Sequence, residues 1–174
     1  MLFCNILPME ILKMGEETLR EVSSPVSCLN DEIKELIAQM FITLEKSNGI
    51  GLAAPQVGKN IRLFIVQLEE DEGMVFINPE IIKTSDEQCS MEEGCLSIPK
   101  VYEKVVRPKG VTVQYMDVNG RKQLIQATGL LARVIQHEYD HLNGVLFVDR
   151  LDEVLKEKAI GKFKKLYGKK KQLS

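Results

Sequence analysis

Gln136-His137-Glu138-Tyr139-Asp140-His141 holds both histidines of this 174-residue chain, four positions apart, with a glutamate directly after the first. On a helix, residues i and i+4 share one face, one turn apart. Two imidazoles placed that way can grip one metal ion, and the adjacent carboxylate stands close enough to move protons on a water held by that metal. The helix itself is predicted to run from about Gly129 to Leu142, with Thr128 as its cap and Gly144 as its stop. Leu130, Leu131, Val134, Ile135 and Leu142 make it largely apolar, hence a central, buried element. In such a dry site every charge interaction is strengthened.

Working outward, Asn30 and Asp31 signal a helix start, and Ile33, Leu36, Ile37, Met40, Phe41 and Leu44 follow at helical spacing. Ile61 to Leu68, Met74 to Asn78, Val101 to Val106, Val111 to Met116 and Leu124 to Ala127 read as strands. Asn78-Pro79 marks a turn before a short strand at Ile81-Ile82, and Asn119-Gly120 predicts a tight hairpin. Val145 to Val148 reads as a short strand, and Asp149 or Asp152 as the start of a last helix. The expected fold class is α+β: small antiparallel or mixed β-sheets packed around a central helix carrying the His-Glu-x-x-His stretch, with N-terminal and C-terminal helices.

Composition bounds the rest. At 44% hydrophobic and 28% charged, the chain suits a single globular domain over residues 1–174, with a basic helix and tail at about 150–174. Residues 156–174 carry eight Lys against one Glu, while the chain as a whole has a net charge of −2. A basic end of this kind suits a polyanionic partner or a solvated face. No apolar run is long enough to cross a membrane, so no membrane association is expected. Met1 to Met14 lacks a basic region and a small-residue cleavage site, so it is expected to be mature sequence, and the expected location is cytoplasmic. Cys4, Cys28, Cys89 and Cys95 form no C-x-x-C pair and are expected to be reduced thiols.

Two histidines need a third ligand. The Gly and His that extend this pattern in one group of metalloproteases are half present: Gly144 is in place, but the last position is Phe147. Glu157 lies downstream in a Lys-rich, exposed-looking segment. Cys95 is the better candidate, because a thiolate suits soft and borderline metals and the residue sits in a polar, Gly-containing turn. Cys89 lies nearby, and spacing alone does not choose between the two.

Three segments together resemble the peptide deformylase family: Gly49-Ile50-Gly51-Leu52-Ala53-Ala54-Pro55-Gln56, Glu93-Gly94-Cys95-Leu96-Ser97, and Gln136 to His141. The resemblance implies Cys95, His137 and His141 as metal ligands and Glu138 as general acid/base. It implies Gln56 and the Leu96 N–H as oxyanion stabilisers. Gly49, Ile50 and Gly51 would pair with the substrate backbone. Ile50, Gly94, Leu130, Val134 and His137 would wall the pocket for a methionine side chain. The implied activity is removal of the N-formyl group from the N-terminal methionine of new polypeptides, with release of formate. The implied metal is Fe(II), with Zn(II) or Ni(II) able to substitute, and the basic C-terminal helix is a candidate contact with the ribosome. Two positions depart from the family's pattern. Tyr102 stands where many members have Arg, and Arg133 replaces what is often an apolar residue on the pocket side of the helix. Arg107 fits the pattern, with Glu93 as a candidate ion-pair partner. A zinc endopeptidase using the same helix, and a non-catalytic protein with a structural metal, are the alternatives. The first lacks a convincing downstream ligand. The second needs a fourth protein ligand and leaves Glu138 without a purpose.

Overall fold

A computed structural model describes residues 7–68 and 73–168. Its first helix, α1 (Asp31–Lys46), is capped by Asn30, whose side chain accepts a hydrogen bond from the Ile33 N–H. Five strands form one antiparallel sheet in the order β1-β2-β3-β6-β7. They are β1 (Gly51–Ala53), β2 (Leu63–Val66), β3 (Met74–Thr84), β6 (Gly110–Met116) and β7 (Lys122–Thr128). A separate antiparallel hairpin pairs β4 (Gln88–Cys95) with β5 (Ile98–Pro108). The helix bearing the two histidines is α2 (Gly129–His141), and α3 (Glu153–Tyr167) closes the chain, capped by Asp152.

Strand β2 shows why the core divides as it does. Its four residues are all apolar and all buried, and successive side chains on a strand point to opposite faces. Leu63 and Ile65 join Leu36, Ile37, Met40 and Leu44 of α1 in one apolar cluster. Phe64 and Val66 join Ala132, Val134 and Ile135 of α2 in another. The large sheet is thus covered by α1 on one face and by α2 on the other, and a continuous apolar run is what a strand buried on both sides requires. The hairpin has its own cluster, in which Ile98, Val101 and Val105 meet Phe147, Ala159 and Phe163. Helix α2 lies between these two bodies, and nine of its residues are buried, including His137, Glu138 and His141. Its end is fixed by Gly144 at φ 70°, where the Val145 N–H reaches the Asp140 carbonyl and the Gly144 N–H that of His141. A Cβ at Gly144 would also lie 2.4 Å from the Arg20 carbonyl oxygen, so the stop and the packing demand the same residue.

Several local expectations are corrected. Asn78-Pro79 is not a turn between two strands but an irregularity inside the single strand β3. Asn78 takes φ 49°, and its side-chain amide pairs with both the N–H and the carbonyl of Val26, which offsets ladder bonds lost around Pro79. The Asn119-Gly120 hairpin is wider than a two-residue turn. The Asp117 carboxylate accepts from the N–H groups of Asn119 and Arg121, and only Gly120 there needs a positive φ. Thr128 stands at the cap position of α2 without making a side-chain cap bond. Val145 to Val148 forms no strand. Phe147–Arg150 is a 3₁₀ turn in which the Asp149 carboxylate accepts from the Leu146 N–H. Residues 88–95, not among the strands read from the sequence, form the full strand β4. The Lys run at 169–171 lies outside the described residues.

Candidate functional site

The tight loop Leu96-Ser97 joins β4 to β5, and Cys95 ends β4 directly before it. The cysteine is therefore the last residue of a strand, directly before the turn, rather than within the polar, Gly-containing turn expected from its sequence. Its sulfur lies 3.3 Å from His141 Nε2. Donor atoms of Cys95, His137 and His141 all lie within 4.8 Å of one another, the one such His/Cys/Asp/Glu cluster among the described residues. Cys89 is outside it, with its sulfur 3.3 Å from Arg133 Nη2 instead, and Glu157 is exposed on α3.

Electrostatics at the cluster suit a cation. Burial alone would push the Cys95 thiol up, but His141 and His137 hold it well below the ordinary thiol range. Burial would push His137 down, but Cys95 and Glu93 hold it well above the ordinary imidazole range. A thiolate in contact with two imidazoles is a donor set for a borderline divalent metal, whose binding displaces protons from the same groups. His137 Nδ1 is 2.9 Å from Glu93 Oε2. A carboxylate can only accept, so this bond puts a proton on Nδ1 and makes Nε2 the nitrogen that could bind a metal.

Glu138 is buried, and burial raises its pKa to about 7 against the pull of His137 and His141. Among the described residues its Oε2 has no hydrogen-bond partner. The other oxygen lies against β1, since a Cβ on Gly51 would come within 2.5 Å of Oε1. Only a glycine there lets the strand's backbone approach the carboxylate. Gln56 is fixed from both ends of its amide. Its Oε1 accepts from the Ala53 N–H at 2.8 Å, and its Nε2 lies 3.2 Å from Ser97 Oγ and 3.5 Å from the Cys95 sulfur.

These groups line one pocket of about 510 Å³. Gly49, Ile50, Gly51, Gln56, Gly94, Cys95, Leu96, Leu130, Arg133, Val134, His137 and Glu138 all border it, and His141 stands behind the cysteine. Strand β1 is an edge strand whose inner side pairs with β2, so its outer edge is open towards this cavity. Tyr102 also borders the pocket, its ring so close over Gly94 that a Cβ there would meet it at 2.5 Å.

Sequence reasoning named Glu93, Arg107 and Arg133 but missed most of the bonds that join them to one another and to His137 and Asp140. Glu93 was paired with Arg107, and the structure shows that bond in two parts, at 2.6 and 2.9 Å. It also shows Glu93 bonded to His137, and Asp140 bonded to both Arg107 and Arg150. Arg133 was placed at the pocket, yet its guanidinium is bonded to Glu93 rather than facing the cavity alone. A charged residue at a helical position otherwise surrounded by apolar ones was the available signal, because a buried charge must find a partner.

Residues 8–157 match the model of the family described as polypeptide deformylase. The chain is 49% identical over 160 residues to a protein of Treponema pallidum named peptide deformylase, covering 92% of this chain and 98% of that one. A crystal structure of a peptide deformylase from Legionella pneumophila superposes with a TM-score of 0.88 at 40% identity, over 92% of this chain and 95% of that one. A second, from Synechococcus elongatus in complex with actinonin, gives 0.86 at 47% identity, over 89% and 87%.

Proposed function

The chain belongs to the polypeptide deformylase family, and from that premise we propose a role for each residue of the pocket. It is a hydrolase that removes the formyl group from the N-terminal methionine of newly made polypeptides and releases formate. One observation supports the assignment most strongly. A buried glutamate, one of whose oxygens has no partner among the described residues, stands on the wall of a pocket beside a Cys-His-His cluster.

Cys95, His137 and His141 would hold the divalent cation. When bound, that cation supplies Lewis acidity, enough in such sites to lower the pKa of water from about 15.7 to roughly 7. Glu138 takes the proton of the attacking water and returns it to the departing amine. Gln56 Nε2 and the Leu96 N–H donate to the oxyanion formed from the formyl oxygen. The substrate main chain adds at Gly51, the first residue of β1, and at Gly49 and Ile50 directly before it. Ile50, Gly94, Leu130, Arg133 and Val134 wall the methionine side chain. Fe(II) is the proposed metal, on the family likeness, and the donor set also accommodates Zn(II) or Ni(II). Residues 1–174 are proposed to act as one domain in the cytoplasm. No helix among the described residues is long and apolar enough to cross a membrane.

Purified anaerobically with Fe(II) or Ni(II), the protein should release formate from a formyl-Met tripeptide and leave internal peptide bonds intact. The acetylated analogue should react far more slowly, because its methyl group must fit where hydrogen sits. Replacing Met by Gly should cost about 1.5–3 kcal/mol of side-chain burial, or roughly a tenfold to hundredfold loss in kcat/KM. Cleavage of internal bonds with formyl-Met left untouched would transfer the assignment to an endopeptidase.

The basic helix α3 is proposed as a contact with the ribosome. Deleting it is the wrong test, because Ala159 and Phe163 are part of the core. Lys158, Lys162 and Lys165 are exposed, so changing all three to Glu should weaken ribosome binding while sparing tripeptide hydrolysis. Binding should also fall steeply with salt, as phosphate contacts do. Unchanged co-sedimentation of the triple variant with ribosomes would end this proposal.

A further inference from the structure

Arg133 and His137 lie one turn apart on the same face of α2, and both reach one carboxylate. Arg133 Nη1 donates to Glu93 Oε1 at 2.7 Å, and His137 Nδ1 meets Glu93 Oε2 at 2.9 Å. Glu93 therefore bridges two successive turns of the helix. The other Arg133 bonds run to the hairpin. Nη1 also reaches the Val105 carbonyl at 2.9 Å on β5, and Nη2 reaches the Cys89 carbonyl at 2.8 Å on β4. Arg133 and Glu93 are both almost fully buried, at 4% and 5% exposure.

A structural staple would account for the hairpin bonds, but not for the division of Glu93. Its Oε1 serves two guanidinium groups, Arg107 at 2.6 Å and Arg133 at 2.7 Å, while Oε2 serves Arg107 at 2.9 Å and His137. Two cationic donors on Oε1 fix the plane of the carboxylate, and so the direction from which Oε2 meets the imidazole. Orientation of an imidazole ligand is what such an outer hydrogen-bond partner controls.

We propose that Arg133 is a positioning residue for the metal site, acting on His137 through Glu93; this rests on the reading of Cys95, His137 and His141 as ligands. The probe is Co(II), whose affinity is read by chelator competition and whose ligand field is read by visible absorption. Four proteins are compared: the parent, Arg133→Leu, Arg133→Lys and Cys95→Ala. Arg133→Leu should bind Co(II) roughly tenfold to hundredfold more weakly, with shifted absorption bands. Arg133→Lys returns one cationic donor to Glu93 but not the paired bonds to Cys89 and Val105. It should recover most of the Co(II) affinity while keeping a lowered melting temperature, which separates positioning from stapling. If Arg133→Leu does not fold, Arg133→Gln is read in its place, with at least a threefold loss expected. Parent-like affinity and spectrum in the Leu or Gln variant would overturn the proposal. So would an affinity in Arg133→Lys no better than in the Leu or Gln variant. Cys95→Ala reports separately on the ligand set: if it binds Co(II) like the parent, the reading beneath the proposal fails instead.

Discussion

Glu138→Gln is expected to keep its metal and to lose roughly 10²–10⁴-fold in kcat, the usual contribution of a positioned general acid/base. Three features carry this expectation. Glu138 is not among the three clustered donors, so its removal subtracts no ligand. Glutamine has nearly the same shape, so the close packing against Gly51 is preserved. What is lost is the ability to accept a proton and give it back. The carboxylate is suited to that exchange because burial holds its pKa at about 7, near the operating range, and because one oxygen has no partner among the described residues. Metal analysis and formate release measured on one preparation check the prediction. Full metal content with near-parental turnover would remove Glu138 from the chemistry.

Cys95→Ala is expected to lose metal and activity together. The thiolate is the one anionic donor of the cluster, and without it two imidazoles must hold a dication alone. The loss of affinity should be roughly 10²-fold or more, beyond what removal of an outer hydrogen-bond partner costs. Cys89→Ala is the control. Its sulfur touches Arg133 and belongs to no donor cluster among the described residues, so metal content should stay near that of the parent. The reverse pattern would identify Cys89 as the ligand and would require the hairpin to be arranged differently around α2.

Both predictions start from residues visible in the sequence, and the reason is local. His137, Glu138 and His141 share one helix, so their mutual placement follows from helical geometry. The apolar run at Leu63–Val66 could be assigned to a strand for the same kind of reason, as could α1 from its spacing and its Asn30 cap. Groups that meet across the fold were harder to read. Nothing along the chain ties Glu93 to Arg133, forty positions away, or Asp140 to Arg107, because those bonds exist only once the hairpin rests on α2. The irregularity at Asn78 was hidden similarly, since its partner Val26 lies outside any regular element. Choosing Cys95 over Cys89 required the family likeness at first. In the structure it follows from the position of Cys95 at the turn end of the hairpin, nearer to the histidines.

The alternation along β4 has an evolutionary consequence. Cys89, Met91 and Glu93 are the less exposed residues of its first six, and Gln88, Ser90 and Glu92 are the exposed ones. A strand with this period keeps its orientation under substitution but not under a change of length. Point changes at the outward Gln88 and Ser90 can accumulate over descent with little effect on the chemistry, whereas Glu92 borders the pocket. Gain or loss of a single residue between Cys89 and Cys95 would turn a carboxylate or a sulfur away from α2. Lineages of this enzyme should therefore vary freely in the letters at Gln88 and Ser90, while the spacing of the strand is inherited unchanged.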